Sequence, residues 1–253
     1  MPSDHLRFER RDALAVLTLA NPDGNRFNRA ILDGLTEALA EISAGGYGAL
    51  LLQGDGPLFS LGADVKELLT LPETELLATV ERYLGLLGTI ARLPIPSIAA
   101  VHGVCSSGGL EMALACDLLW AAEGTQLGFL ETLIAIPPLV GGVQRIAARA
   151  GRARAFEIAA AGRHFDAREF HGWNIVNRIL PAEQLRAEAL AYATTLAGGP
   201  SIAYAGIKAM LEAWDSDGVP GADQVTVAAV APALASDLFK TRVAGFLARS
   251  ARA

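Results

Sequence analysis

Apolar and polar residues alternate, run together or recur at helical spacing along this chain in an order that repeats. Residues 14–19 (Leu-Ala-Val-Leu-Thr-Leu) form a β-rich run, and Asn21-Pro22-Asp23-Gly24 after them is turn chemistry. From 30 to 42 the apolar positions Ile31, Leu35, Leu39 and Ile42 recur every three or four residues until Gly45-Gly46, which predicts a helix with one buried face. The continuous apolar run 49–52 predicts a strand buried on both faces. Asp64 with Glu67 three positions on is a capping-box pattern, so a helix should begin just past Ala63. Helical periodicity from about 72 to 92 is stopped by Pro94 and Pro96, and short strands are predicted at 98–101 and 118–121, with an extended segment at 126–129. Beyond Gly141-Gly142 only helical patterns are read, at 143–149, 153–161, 182–197, 202–214 and 232–248. This order predicts one α/β core with a helical C-terminal layer.

Composition narrows the function. The 253 residues are 52% hydrophobic, ample for a large core, and the net charge of −6 disfavours nucleic acid or an anionic membrane surface as the partner. The first eleven residues are charged rather than apolar, and no apolar run reaches membrane-spanning length, so a cytoplasmic protein is expected. Cys105 and Cys116 form no C-x-x-C pair and are expected as reduced, packed thiols. The scattered histidines, His5, His102, His164 and His171, predict no metal site.

The candidate chemistry lies between Gly103 and Asp117. Here a small-residue loop with Gly108 and Gly109 runs into an apolar helix carrying Glu111 in its first turn. Glycines let backbone approach a ligand, and a helix N-terminus offers free N–H donors, which suits a developing oxyanion. Glu111 is either a helix-capping charge or an acid/base group whose burial raises its pKa. Ala63 sits in a second loop of the same design, and Glu131, between Leu130 and Thr132, is a second carboxylate in apolar surroundings. Two such acids in different environments can divide acid and base roles.

At these residues the chain resembles the crotonase, or enoyl-CoA hydratase/isomerase, superfamily. Residues 59–68 (Phe-Ser-Leu-Gly-Ala-Asp-Val-Lys-Glu-Leu) are similar to its F-[CS]-A-G-A-D-[LIV]-K-E-[LM] segment, and Pro96 to Gly103 to the strand before its glycine loop. Gln144, Arg145 and Lys240 also fall where the family places similar residues. The resemblance implies a crotonase-like ββα-superhelix core over residues 1–195 and a helical region over 196–253 that builds a homotrimer or dimer of trimers. It implies that the N–H groups of Ala63 and Gly108 hold a thioester oxygen, each worth roughly 3 kcal/mol to the transition state, and that Glu111 and Glu131 are the acid/base pair. Backbone from Leu61 through Gly62, Ala63 and Asp64 to Val65 would read the adenine, and Lys66, Arg26 and Lys240 are candidates for the phosphates. Coenzyme A then enters as part of the acyl-CoA substrate, with no separate cofactor.

The chain departs from the family pattern at several positions, most consequentially beside Glu131. Leu61 replaces a small residue, Ser106 and Ser107 replace glycine or apolar residues, and Leu139 brings bulk into a segment where the family is closer to P-G-x-G-G. His102 is expected to be structural. The acyl pocket is expected around Leu84, Leu87, Leu133 and Leu139. The function implied is hydration of a 2-enoyl thioester. The alternatives are Δ3-Δ2-enoyl isomerisation, hydrolysis or decarboxylation on the same scaffold, and a non-catalytic binding protein. A serine hydrolase is disfavoured because no G-x-S-x-G elbow is present, and a dinucleotide enzyme because no G-x-G-x-x-G opens a helix.

Overall fold

The computed structural model describes residues 5–250, with the side chains of Arg249 and Ser250 set aside. The chain divides into two compact units, Met1–Ala197 and Gly198–Ala253.

The first unit opens with an antiparallel hairpin, β1 (Leu6–Arg11) and β2 (Leu14–Leu19). It continues through α1 (Arg29–Ser43), β3 (Ala49–Gly54), the short α2 (Val65–Leu68) and the long α3 (Glu73–Arg92). Next come β4 (Ser97–Val101), β5 (Val104–Ser106), α4 (Gly108–Leu114), β6 (Leu118–Ala122) and β7 (Gln126–Gly128). A single 3-10 turn spans Glu131–Ile134. It is followed by α5 (Gly142–Ala150), α6 (Arg152–Ala160), β8 (His164–Asp166), α7 (Ala167–Gly172), β9 (Arg178–Leu180) and α8 (Ala182–Ala197).

Six strands form one sheet in the order β1-β2-β3-β4-β6-β9, parallel throughout except for the opening hairpin. The alternation of strand side chains explains its two buried faces. Leu17, Leu50, Leu52, Ala99, Val101, Leu119 and Ala121 point to the main core with α1, α3 and α4. Their neighbours Val16, Leu51, Ile98, Ala100 and Trp120 point the other way, under Leu185, Ala189 and Ala193 of α8. A three-stranded sheet, β5-β7-β8, stands apart and carries the glycine loop.

One strand goes unread in the sequence and two expectations need correction. Residues 6–11 form an edge strand, because Leu6 and Phe8 alternate with charged residues that face solvent. The region after Gly142 is not purely helical, since β8 and β9 each add three residues to an existing sheet edge. In the second unit, α9 (Ser201–Ala235) extends helix through the stretch between the patterns at 202–214 and 232–248, and the second pattern is split at Ser236 (ψ 147°), beyond which α10 (Asp237–Ser250) begins. The α9 axis is broken at Gly218 (φ 64°, ψ −157°), and Gly206 then packs so tightly on Ala229 that a Cβ would lie 2.8 Å from its carbonyl oxygen.

Candidate active site

Two loops leave the carboxyl ends of β3 and β4 and are knitted together by backbone. Phe59 N–H reaches the carbonyls of His102 (2.9 Å) and Val104 (3.1 Å), while Ser106 N–H donates to Ser60 O (2.9 Å). The His102 ring bonds the Gly56 carbonyl (2.9 Å), so this histidine ties the loops together outside the cavity that Ala63 and Gly108 line.

The first loop ends on Ala63. Phe27 donates its N–H to Gly62 O (2.8 Å) and accepts from Asp64 N–H (2.9 Å), so Ala63 between them turns its own N–H to the opposite side. Gly62 (φ 92°) is required there, because a Cβ would lie 2.7 Å from Ser107 Cβ and 3.1 Å from Gly108 N. Asp64 caps α2, accepting from Lys66 and Glu67 N–H (3.0 and 3.3 Å). The reciprocal arm of the expected capping box is not made: Glu67 accepts instead from Arg29 N–H at the start of α1.

The second loop reaches Gly108 through Ser107, whose φ of 52° and ψ of −128° hold an L-residue in a conformation suited to glycine. That turn sets the Gly108 N–H at the first position of α4, where it has no helical partner. Neither Ala63 N–H nor Gly108 N–H carries an acceptor among the described residues, and the contact of Gly62 with Gly108 brings the two peptides side by side. At its far end α4 is secured by Arg149, which donates to Leu114 O (3.1 Å) and Cys116 O (2.7 Å).

Glu111, only 1% exposed, does not cap its helix. Its Oε1 accepts from Val140 N–H (2.8 Å) and Gly142 N–H (2.9 Å), both on the segment entering α5. Gly142 permits this approach, since a Cβ there would lie 2.9 Å from Glu111 Cγ and overlap the Phe129 ring. Arg145 supports the segment by donating to Val140 O (3.1 Å). Burial pushes the Glu111 carboxyl up to about 7 against the lowering effect of the two N–H donors, and Glu131 adds repulsion. Glu131 sits on the 3-10 turn, with Oε2 buried and unpartnered. Burial raises its pKa, opposed by its own N–H, the Ser107 hydroxyl and Leu130 N–H.

Ala63, Gly108, Glu111 and Glu131 line one cavity of about 330 Å³, together with Arg26, Leu61 and Val65. Most of its remaining wall is apolar, including Leu32, Leu68, Val80, Leu130, Ile134 and Ile136. Leu133 and Leu139 line it as expected, but Leu84 and Leu87 do not: Leu87 is in the core, and α3 presents Thr79, Val80 and Tyr83 instead. The cavity meets α3 about one turn nearer its N-terminus than Leu84 and Leu87. Gly62, Asp64 and Lys66 flank the cavity in sequence without lining it. Of the phosphate candidates, Arg26 lies 3.8 Å from Asp23, Lys66 is exposed, and Lys240 belongs to the second unit, paired with Asp237 at 3.0 Å.

Both cysteines are buried, and burial drives the Cys105 thiol well up, which keeps it neutral. Among the described residues no three His, Cys, Asp or Glu side chains come together as a metal would require, and no helix is long and apolar enough to cross a membrane. Missed from sequence were Val140 and Gly142, whose role is carried by backbone N–H and leaves no side-chain signature. Tyr83 was missed for a different reason, because an aromatic residue on an amphipathic helix reads as core.

Residues 9–231 match the sequence profile described as enoyl-CoA hydratase/isomerase. A Mycobacterium bovis protein named "probable enoyl-CoA hydratase" is 33% identical over 198 residues, which is 78% of this chain and 76% of that protein. Among solved structures, an enoyl-CoA hydratase from Bacillus anthracis superposes with a TM-score of 0.90 at 27% identity, covering 98% of this chain and 96% of the other. One from Mycobacterium smegmatis gives 0.91 at 25% identity, covering 98% and 97%. The architecture is therefore the crotonase fold.

Proposed function

The chain belongs to the enoyl-CoA hydratase/isomerase family, and on that premise we propose that it hydrates 2-enoyl thioesters of coenzyme A. The observation that carries this reading is the convergence of Glu111 and Glu131 with Ala63 and Gly108 on one apolar cavity. An isomerisation needs one proton shuttle, whereas adding water needs a site that can hold the water as well as move its protons.

In the proposed reaction the thioester oxygen accepts from the Ala63 and Gly108 N–H groups, and the Glu111 carboxylate and the protonated Glu131 carboxyl hold a water beside the double bond. Glu111 acts as base: with Oε1 fixed by Val140 and Gly142, its other oxygen is left for the water. Oxygen adds at Cβ, the water proton passes to the carboxylate, and electron density moves through Cα to the thioester oxygen. The two N–H donors stabilise that charge as it develops. As the enolate collapses Glu131, protonated at the start, gives its proton to Cα, and the water proton taken up by Glu111 passes back to Glu131 before the next turnover, so the product gains one whole water and both side chains are restored.

Backbone from Leu61 to Val65 is proposed to read the adenine, with Arg26, Lys66 and Lys240 toward the phosphates. The family resemblance supports that reading, and the place of Arg26 and Leu61 on the cavity wall agrees with it. The chain is proposed to work as a homotrimer or dimer of trimers in the cytoplasm, a reading to which exposed Ile207, Leu211, Trp214 and Phe246 of the second unit lend support. Sedimentation as a monomer would contradict it.

The test of the reaction is a panel of 2-enoyl and 3-enoyl thioesters with products identified by mass. A 3-hydroxyacyl product is expected. Interconversion of the two enoyl isomers without hydration would favour an isomerase relying on Glu131 alone, a reading to which its unpartnered Oε2 lends some weight.

A further inference from the structure

Phe27 bonds the peptide that carries the Ala63 N–H and Tyr83 bonds the carbonyl of Gly108, neither offering a group to the reacting atoms. Phe27 holds the Ala63 strand through its own N–H and carbonyl, as described above, and its ring lies against Gly108. A Cβ on Gly108 would be 3.3 Å from Phe27 Cδ2 and 3.4 Å from Tyr83 Cε1. The two rings pack edge to face, with centroids 5.2 Å apart and planes at 70°. Tyr83, rooted in α3 and buried, donates its hydroxyl proton to Gly108 O at 2.8 Å.

We propose that the Phe27–Tyr83 pair is a positioning device that aims the two N–H donors at one point, with the Tyr83 hydroxyl fixing the Gly108 side and the Phe27 backbone fixing the Ala63 side. The inference rests on the oxyanion reading given above. Gly108 has no side chain to hold it and follows the strained Ser107; the carbonyl of its donor peptide, Ser107 O, is tied by Glu111 N–H (3.0 Å), and the Gly108 carbonyl one peptide on takes a further anchor. The Tyr83 hydroxyl supplies one from a separate helix. Burial and the nearby Glu111 carboxylate drive its pKa well up, which keeps the proton on the hydroxyl as a donor. The two rings occupy the space into which Gly108 would otherwise shift. Because charge on the thioester oxygen develops fully only in the transition state, misaimed donors cost kcat more than they cost substrate binding.

Tyr83→Phe separates these effects, since it keeps the ring and removes the hydroxyl. Parent and variant are compared for kcat and KM on a 2-enoyl-CoA, and for the red shift in absorption of bound cinnamoyl-CoA, whose conjugated carbonyl reports polarisation directly. The expected result is a fall in kcat of about tenfold with KM within about threefold, as for loss of transition-state stabilisation, and a red shift cut to about half. An unchanged red shift, whether or not kcat falls, would overturn the proposal, because the hydroxyl would then be merely structural. Phe27→Leu provides a second route should Tyr83→Phe not fold: a smaller loss of red shift is expected, and none would overturn the proposal. A parent enzyme that neither polarises the probe nor hydrates the substrate would refute the oxyanion reading itself, a result distinct from any behaviour of the variants.

Discussion

Glu111 and Glu131 face one cavity, yet they are held in opposite ways. Glu111 stands on a wholly buried helix with one oxygen gripped by two backbone N–H groups from a segment about thirty residues away in sequence. Glu131 stands on a single 3-10 turn, next to Leu133 and Ile134, which are 70% and 56% exposed, and one of its oxygens has no partner. The first carboxylate is fixed in place by the protein, and the second keeps one oxygen open to the cavity, which in the proposed reaction the water would meet. An enzyme that must orient a nucleophile and then deliver a proton to a neighbouring carbon gains from one group of each kind.

The largest expected effects come from removing either acid. Glu111→Gln and Glu131→Gln should each lower kcat by about a thousandfold, within the range for positioned acid–base groups, while circular dichroism shows the fold retained. A variant of either that hydrates as fast as the parent would break the pairing. Gly142→Ala attacks only the Glu111 arrangement, by forcing a methyl group against Glu111 Cγ and the Phe129 ring. We expect about a hundredfold loss of kcat, in line with misplacement by an ångström, together with a loss of about 2 kcal/mol in stability from overpacking. Full activity would mean that the two N–H bonds are dispensable.

Stability against pH sharpens the comparison further. The Glu111 carboxyl is raised from 4.5 to about 7 in the fold, so the folded state holds its proton where the unfolded chain has lost it. Its contribution therefore favours folding below about pH 4.5, declines as the pH rises to about 7 and is flat above. Glu111→Gln removes this penalty, and denaturant melts should show it more stable than the parent by up to ~3 kcal/mol at pH 8, with the gain vanishing at pH 4. The same ionisation should appear in activity, with kcat/KM of the parent falling as the pH drops below about 7, because the base becomes protonated. The smallest effect is at Ser107. Ser107→Gly should raise stability by about 1 kcal/mol through relief of the positive φ, whereas Ser107→Ala keeps the strain and gains nothing in the same melt.

How much of this was legible in the sequence follows from what each feature is made of. The buried strands at 14–19, 49–52, 98–101 and 118–121 announce themselves because side chains buried on both faces leave continuous apolar runs. The strands at 164–166 and 178–180 do not, since three residues cannot establish a period. Glu111, Glu131, Gly108 and Ala63 could be found through residue type and family resemblance, and the structure gathers all four on one cavity. The choice between cap and acid/base group at Glu111 is not decidable from its own helix, because its partners are the N–H groups of Val140 and Gly142, which any residue but proline carries. Leu139 was flagged as a departure beside Glu131, and it does line the cavity, but the N–H that grips a carboxylate belongs to Val140 beside it. Tyr83 was hidden by the opposite problem: its ring belongs to the core and its hydroxyl to the site.

The most direct test of the central claim, that the fixed and the open carboxylate together add one water, is to follow a short 2-enoyl-CoA in heavy-oxygen water by mass spectrometry. The account predicts a 3-hydroxyacyl-CoA carrying one labelled oxygen at C3, formed by the parent and lost in Glu111→Gln and Glu131→Gln alike. Release of free coenzyme A, or an isomerised enoyl thioester with no label, would contradict it.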